Sequence, residues 1–284
     1  SIGDTAFMGC AKLTQITIPD AAKLVGEEAF CDCSELASIS FGKGLESIGS
    51  YAFSGCVKLT SFTINSEQVI SLLSSANYYK NIKKIVLGDA VKTIERGAFS
   101  GLAKLESFTI GKSVEYIGDE AFARCNSLTE FIVSKDSAFY ASHEGAIYLK
   151  DFLTLVLVPC GKQDIQLKEG MKTIGNNAFV GCNAIASVTI PESVTSIGES
   201  AFRNCAGLKS ATIGKGVTSI DKLAFAGCVN LETLRFEGEK EPSHKTGDVF
   251  TSCPKLKTVQ VPHNYEGDTF IGLPVLKDDS PTEP

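Results

Sequence analysis

The chain has 284 residues, 43% hydrophobic and 21% charged, a composition that gives a globular protein enough apolar material for a core. Its net charge of −6, with lysine and arginine scattered and no denser basic spot than Lys83 and Lys84, supplies no stripe for nucleic-acid phosphates. No apolar run approaches the roughly 18 residues of a membrane span, and no stretch has the form of a signal peptide.

The chain repeats itself from its first residues. "AFMGCAKLTQITI" at 6 to 18 returns as "AFARCNSLTEFIV" at 121 to 133, and alignment on phenylalanine gives Phe7, Phe30, Phe53, Phe99, Phe122, Phe179, Phe202, Phe225 and Phe250. The commonest interval is 23 residues, a period that marks a solenoid of stacked units. Each unit reads in three parts. L-x-x-I-x-I, as in Leu59, Phe62 and Ile64, alternates apolar residues and predicts a strand pairing in parallel with the next rung. V-x-x-I, as in Val114 and Ile117, returns the chain along an opposite wall. A-F-x-x-C then predicts a short helical or 3₁₀ turn, with a small alanine at the corner.

Two intervals are long. Between Phe53 and Phe99 a degenerate rung is expected: Ala76 stands where phenylalanine is due, while Tyr79, Ile82, Ile85 and Leu87 keep the rest of the pattern. Between Phe122 and Phe179, counting back one period puts Ile165 and Leu167 on strand positions and leaves an insertion at about 134–156. That makes eleven rungs over residues 1–262, with a parallel sheet about 48 Å long in an elongated, curved particle. Residues 263–277 carry Phe270, Ile271, Leu273 and Leu276 to cap the last rung, and 278–284, "DDSPTEP", reads as a flexible tail. The N-terminal edge has no such cover, so the expectation is a monomer or weak association through that edge. A first residue that falls inside a repeat, and is not methionine, favours removal of a targeting segment.

Stacking explains why phenylalanine recurs: one rung cannot bury its apolar face alone, and full burial of each ring is worth about 1.5–3 kcal/mol. Cys10, Cys33, Cys56, Cys125, Cys182, Cys205, Cys228 and Cys253 share one place in the repeat. They read as a ladder of free thiols, since in-register side chains point the same way rather than at each other. Cys160 falls off that ladder and reads as an exposed thiol. Cys31 and Cys33 form a C-x-C without a second pair at zinc spacing, and His143, His244 and His263 are isolated, so no metal or other cofactor is expected. "GKGVTS" at 214 to 219 lacks phosphate-loop spacing, no nucleophile and base are paired, and Glu27, Glu28, Asp119 and Glu120 read as solvated turn residues. An enzyme is not expected.

"SIGSYAFSGCVKLTSFTI" (47 to 64) and "SVTSIGESAFRNCAGLKSATI" (193 to 213) resemble the BspA-like, Treponema pallidum type family of bacterial leucine-rich repeats almost position by position. The resemblance covers about residues 1–262; "AIYLKDFLTLVLVPCGK" (146 to 162) looks like the hairpin insertion of relatives, and 236 to 262 like their longer final rung. Glu95 and Asp221 depart from the glycine of I-G, which argues against a left-handed backbone there. The resemblance implies a leucine-rich-repeat solenoid with its parallel sheet on the concave face. It also implies a non-catalytic cell-surface or secreted module for adhesion to a protein or glycan on a host or neighbouring cell. The alternative is a structural spacer or stalk displaying other domains.

Two surfaces are candidates for binding. The outward strand position forms a row comprising Thr63, Val86, Thr109, Ile132, Gln166, Thr189, Thr212 and Arg235, extended by Thr17, Ser40 and Gln260. The insertion offers aromatic surface at Phe139, Tyr140, Tyr148 and Phe152.

Overall fold

A computed structural model describes residues 1–75, 80–245 and 248–279, in two compact units, Ser1–Tyr140 and Ala141–Pro284. In the first unit, Gln15–Ile18, Ser38–Phe41, Ser61–Ile64, Lys84–Leu87, Ser107–Ile110 and Glu130–Val133 form a six-stranded parallel sheet in sequence order. Equivalent residues stand in register, so Ile39, Phe62, Ile85 and Phe108 make one inward row. Two-residue strands build the opposite wall, where Leu24–Val25 pairs with Ser47–Ile48 and Thr93–Ile94 with Tyr116–Ile117. The phenyl rings stack at the corner, Phe7 on Phe30 at 5.1 Å and Phe99 on Phe122 at 5.5 Å between centroids.

The corner corrects one expectation. Its turns carry i to i+3 bonds, as from the Cys33 amide to the Phe30 carbonyl, but they do not continue as a helix. Residues two before and two after the phenylalanine are left-handed, among them Glu28 (φ 51°) and Asp32 (φ 58°), and each reversal breaks a helical run. The freed amides bond across rungs instead: Glu28, Phe30 and Asp32 donate to Ser50, Ala52 and Ser54 at 3.0, 2.8 and 2.8 Å. The corner is thus a further parallel ladder. Its thiols are not merely apolar filling, since Cys56 Sγ donates to the Phe30 carbonyl at 3.2 Å and Cys125 Sγ to that of Phe99 at 3.1 Å.

The degenerate rung is also different in kind. The helix Glu67–Ser75 occupies the stretch where a V-x-x-I wall strand was expected, burying Val69, Ile70 and Leu73. These apolar residues at i, i+1 and i+4 fall on one helical face. Ala76 and Tyr79 lie outside the described residues, while Ile82, Ile85 and Leu87 are buried.

In the second unit Ser187–Ile190, Ser210–Ile213, Thr233–Phe236 and Val259–Val261 are parallel and in register. Leu273–Lys277 continues the sheet beyond Val259–Val261, and Thr269–Phe270 folds back on it antiparallel. Tyr265, Phe270 and Ile271 are buried at this end, whereas Leu276 is 54% exposed and lies outside the cap's buried set. Asp278 belongs to the folded end rather than to a free tail, since its amide donates to the Val261 carbonyl at 3.0 Å; residues 280–284 lie outside the described ones.

The insertion is built into the repeat plan. Ala146–Leu149 and Thr154–Leu157 form an antiparallel hairpin, and Thr154–Leu157 then pairs in parallel with Thr173–Ile174, the first short wall strand of this unit. The wall continues through Ser196–Ile197 and Ser219–Ile220 to Ser243–His244. The hairpin therefore supplies a wall strand. Val158 follows it into a corner position, its amide donating to the Ala178 carbonyl at 2.8 Å as the amides of Phe7, Phe30, Phe99, Phe179 and Phe202 do to the alanine of the next rung. Residues 165–167 form no strand, so ten of the eleven expected rungs carry a long strand among the described residues.

Candidate functional site

The outward row exists in each unit separately. In the first, Thr17, Ser40, Thr63, Val86, Thr109 and Ile132 are cross-strand neighbours. Strand alternation turns their inward partners into the core and leaves Ser40, Thr63, Val86 and Thr109 half-buried and Thr17 and Ile132 exposed, Ile132 at 42%. A second outward row, Ser38, Ser61, Lys84, Ser107 and Glu130, lies two residues earlier on the same strands. The face is therefore a hydroxyl-rich plane with apolar points at Val86 and Ile132.

In the second unit Thr189, Thr212, Arg235 and Gln260 continue to Leu276. Gln166 is not part of this row. It is exposed in an irregular segment, and the Lys168 amide just beyond donates to the Tyr148 hydroxyl at 3.2 Å instead of to a strand. Arg235 is not a free cation either: it grips Asp278 through Nη1–Oδ1 and Nη2–Oδ2 contacts of 3.2 and 2.6 Å. The hydrogen bonds and charge of the guanidinium hold the Asp278 carboxyl below the usual aspartate range.

Burial also removes Tyr140, Tyr148 and Phe152 from the candidate surface, leaving Phe139 as the exposed aromatic of the insertion, 43% accessible. Tyr148 is fully buried and Tyr140 nearly so, the Tyr140 hydroxyl donating to the Glu115 carbonyl at 3.1 Å. Phe152 packs partly buried against the core with Lys168 Nζ 5.1 Å above its ring. Tyr148 and Phe152 fix the hairpin to its own unit. The residues the hairpin does expose are Leu149 and Leu153 at its tip, 39% and 44% accessible. Cys160 is likewise buried, not exposed.

The short wall of the second unit carries a feature not anticipated from the sequence, a shallow trough of about 430 Å³ lined by Thr173, Ser196, Ser219, Ser243, Asp221 and Lys245. Its signal was the hydroxyl residue that precedes the second apolar position of V-x-x-I. Several of its polar groups are already engaged: Ser196 Oγ donates to Thr173 Oγ1 at 3.1 Å, Ser243 Oγ to the Thr218 carbonyl behind the trough at 3.1 Å, and Lys245 Nζ to Asp221 Oδ2 at 2.8 Å. Among the described residues no three or more His, Cys, Asp or Glu are placed to hold a metal ion, and no helix is long and apolar enough to cross a membrane.

A long parallel wall, a short wall and a corner ladder of phenylalanine and cysteine, repeated at a fixed period, define a leucine-rich-repeat solenoid. The BspA type leucine rich repeat region matches residues 1–141 and 159–270 in 6 copies, and the chain belongs to this family. A leucine rich cell surface protein from Faecalibacterium prausnitzii A2-165 is 27% identical, with a TM-score of 0.56 over 92% of this chain and 76% of that one. A leucine-rich repeat protein from Eubacterium ventriosum ATCC 27560 gives 0.55 at 23% identity over 88% and 66%, and the pneumococcal vaccine antigen PcpA 0.55 at 19% over 98% and 82%. These last two show the fold alone. No protein of curated function matches the chain in sequence.

Proposed function

We propose that this chain is a non-catalytic module, secreted or displayed on a bacterial cell surface, that binds a protein or glycan of a host or neighbouring cell through the outward rows of its long strands. The observation that carries the reading is the in-register row Thr63, Val86, Thr109 and Ile132, a repeated hydroxyl and apolar plane on a rigid sheet. The description of the Faecalibacterium relative as a cell surface protein supports the location. Binding to arrays of glycans and matrix proteins tests it: a saturable ligand is expected, with affinity lowered tenfold or more by Thr109→Trp and Ile132→Asp at unchanged melting temperature. Absence of saturable binding, or binding indifferent to both substitutions, overturns it. The alternative, a spacer that displays other parts of a longer protein, is favoured by exposed ion pairs that step from rung to rung, such as Lys23–Glu46, Lys83–Glu106 and Lys255–Glu232 at 2.6 to 2.9 Å. Each is worth at most about 1 kcal/mol, but a slip of one residue in register breaks every one of them.

A further inference from the structure

We propose that Cys160 and Cys182 are an oxidation site, the pair of corner thiols in this protein that closes into a disulfide. Elsewhere on the ladder a thiol is engaged by the carbonyl of the preceding rung's phenylalanine: Cys205 Sγ donates to Phe179, Cys228 Sγ to Phe202 and Cys253 Sγ to Phe225, at 3.0, 3.1 and 3.1 Å. At Cys182 the corresponding carbonyl belongs to Val158, and the contact lengthens to 3.7 Å. The nearer neighbour of Cys182 Sγ is Cys160 Sγ, at 3.5 Å.

The cause lies in the hairpin. It delivers Val158 into the corner position, so that Cys160 follows two residues later, whereas Cys182 follows Phe179 by three. The two thiols are one residue out of equivalence. In-register thiols on parallel neighbours point the same way and cannot readily bond, but these two approach from different positions on adjacent chains. Hydrogen-bonded neighbouring rungs about 4.8 Å apart satisfy the Cα separation of a disulfide, and the sulfur atoms need to close by about 1.5 Å. The bond would fasten the chain leaving the hairpin to the first complete rung of its unit.

The chemistry requires a low-molecular-weight disulfide such as oxidised glutathione. One protein thiol, as thiolate, attacks it and releases one small thiolate; the other, losing its proton to solvent, attacks the mixed disulfide and expels the second. Two protein thiols are oxidised, and one small disulfide is reduced to two thiols. Both side chains are buried, and the Cys182 thiol is pushed well up by its hydrogen bond with Cys160 and by burial, so the exchange belongs to folding or to local opening.

The test is to refold the reduced, unfolded protein in a glutathione redox buffer, alkylate it under denaturing conditions and map the peptides by mass. The expected result is a cross-link between Cys160 and Cys182, with alkylatable thiols falling from ten to eight. The Cys160→Ser protein should refold with nine free thiols, and a reductant should lower the urea midpoint of the wild type but not of this variant. Ten free thiols in the refolded wild type, or cross-links between equivalent ladder cysteines such as Cys205 and Cys228, would overturn the proposal. Neither outcome touches the binding reading, which rests on another face.

Discussion

Glu67 Oε1 accepts the Thr93 amide at 2.8 Å, and the same oxygen accepts the Lys92 amide at 2.8 Å. In regular rungs a backbone carbonyl of the preceding wall strand accepts this pair of amides, as Lys172 does for Thr195 and Ser196 at 2.8 and 3.3 Å. The helix Glu67–Ser75 has no wall strand to offer, and one carboxylate takes over its role. Glu67→Ala should therefore destabilise the chain by about 1–2 kcal/mol, moderated because water reaches these amides. Glu67→Gln retains an acceptor oxygen and should lose less. Urea denaturation of the three proteins checks the order; equal midpoints would refute the role.

The Arg235–Asp278 pair predicts a pH-dependent C-terminal end. Arg235 lowers the folded-state pKa of Asp278, so the favourable contribution is present above the ordinary aspartate value. It is lost as pH falls through the lower folded value. The expected signature is faster amide exchange across 273–278 in acid, after correction for intrinsic rates, with the rest of the chain unaffected. Asp278→Asn should show that faster exchange already at neutral pH. An exchange profile identical in wild type and variant at every pH would show that the pair does not hold this end.

The corner ladder should be uneven in its energetics. Phe202 lies between two rings, 4.4 Å from Phe179 and 4.8 Å from Phe225, and is 1% exposed. Phe202→Ala should cost about 3–5 kcal/mol. Phe7 has one stacked neighbour and is only half-buried, so Phe7→Ala should cost clearly less. Equal losses in urea unfolding would mean that stacking depth does not set the contribution of a ring.

Much of this architecture is legible in the sequence because one physical requirement repeats: each rung must present the same apolar residues to its neighbours. Phe62 and Ile85, or Val188 and Ala211, pair where the spacing puts them. What escaped is what departs from the period. The Val69, Ile70 and Leu73 stripe escapes because the interval around it is twice the regular one: the degenerate rung keeps its long strand, Lys84–Leu87, but a helix replaces its short wall strand. Cys160 falls off a ladder spaced by the regular period before Phe179, whereas the hairpin shortens that rung and brings Val158 to the corner. Tyr148 looked like surface because an insertion was assumed to lie outside the core. Arg235 looked free because its partner, Asp278, is reached only once the end of the chain has folded back as a strand.

The glycine of I-G gives a comparison within one repeat position. Gly3 and Gly49 precede Phe7 and Phe53 by the same four residues, and neither is left-handed. A methyl group on Gly49 would sit 2.4 Å from the Glu27 amide nitrogen, whereas nothing lies within 4 Å of one on Gly3. The requirement is thus the close approach of the preceding rung's backbone rather than an unusual φ. Glu95 holds the same position where the stretch one period before it is the helix Glu67–Ser75, not a wall strand, whereas Asp221 holds it beside the regular wall strand Ser196–Ile197, so the approach is tight enough to demand glycine at some rungs and not at all of them. Gly49→Ala should force the two rungs apart and cost about 1–3 kcal/mol. Gly3→Ala should leave stability unchanged or raise it slightly by restricting the unfolded chain. Thermal melts of the two variants decide the matter: similar destabilisation by both would assign the glycine to conformation, and no loss from Gly49→Ala would mean that the rungs are not packed this closely.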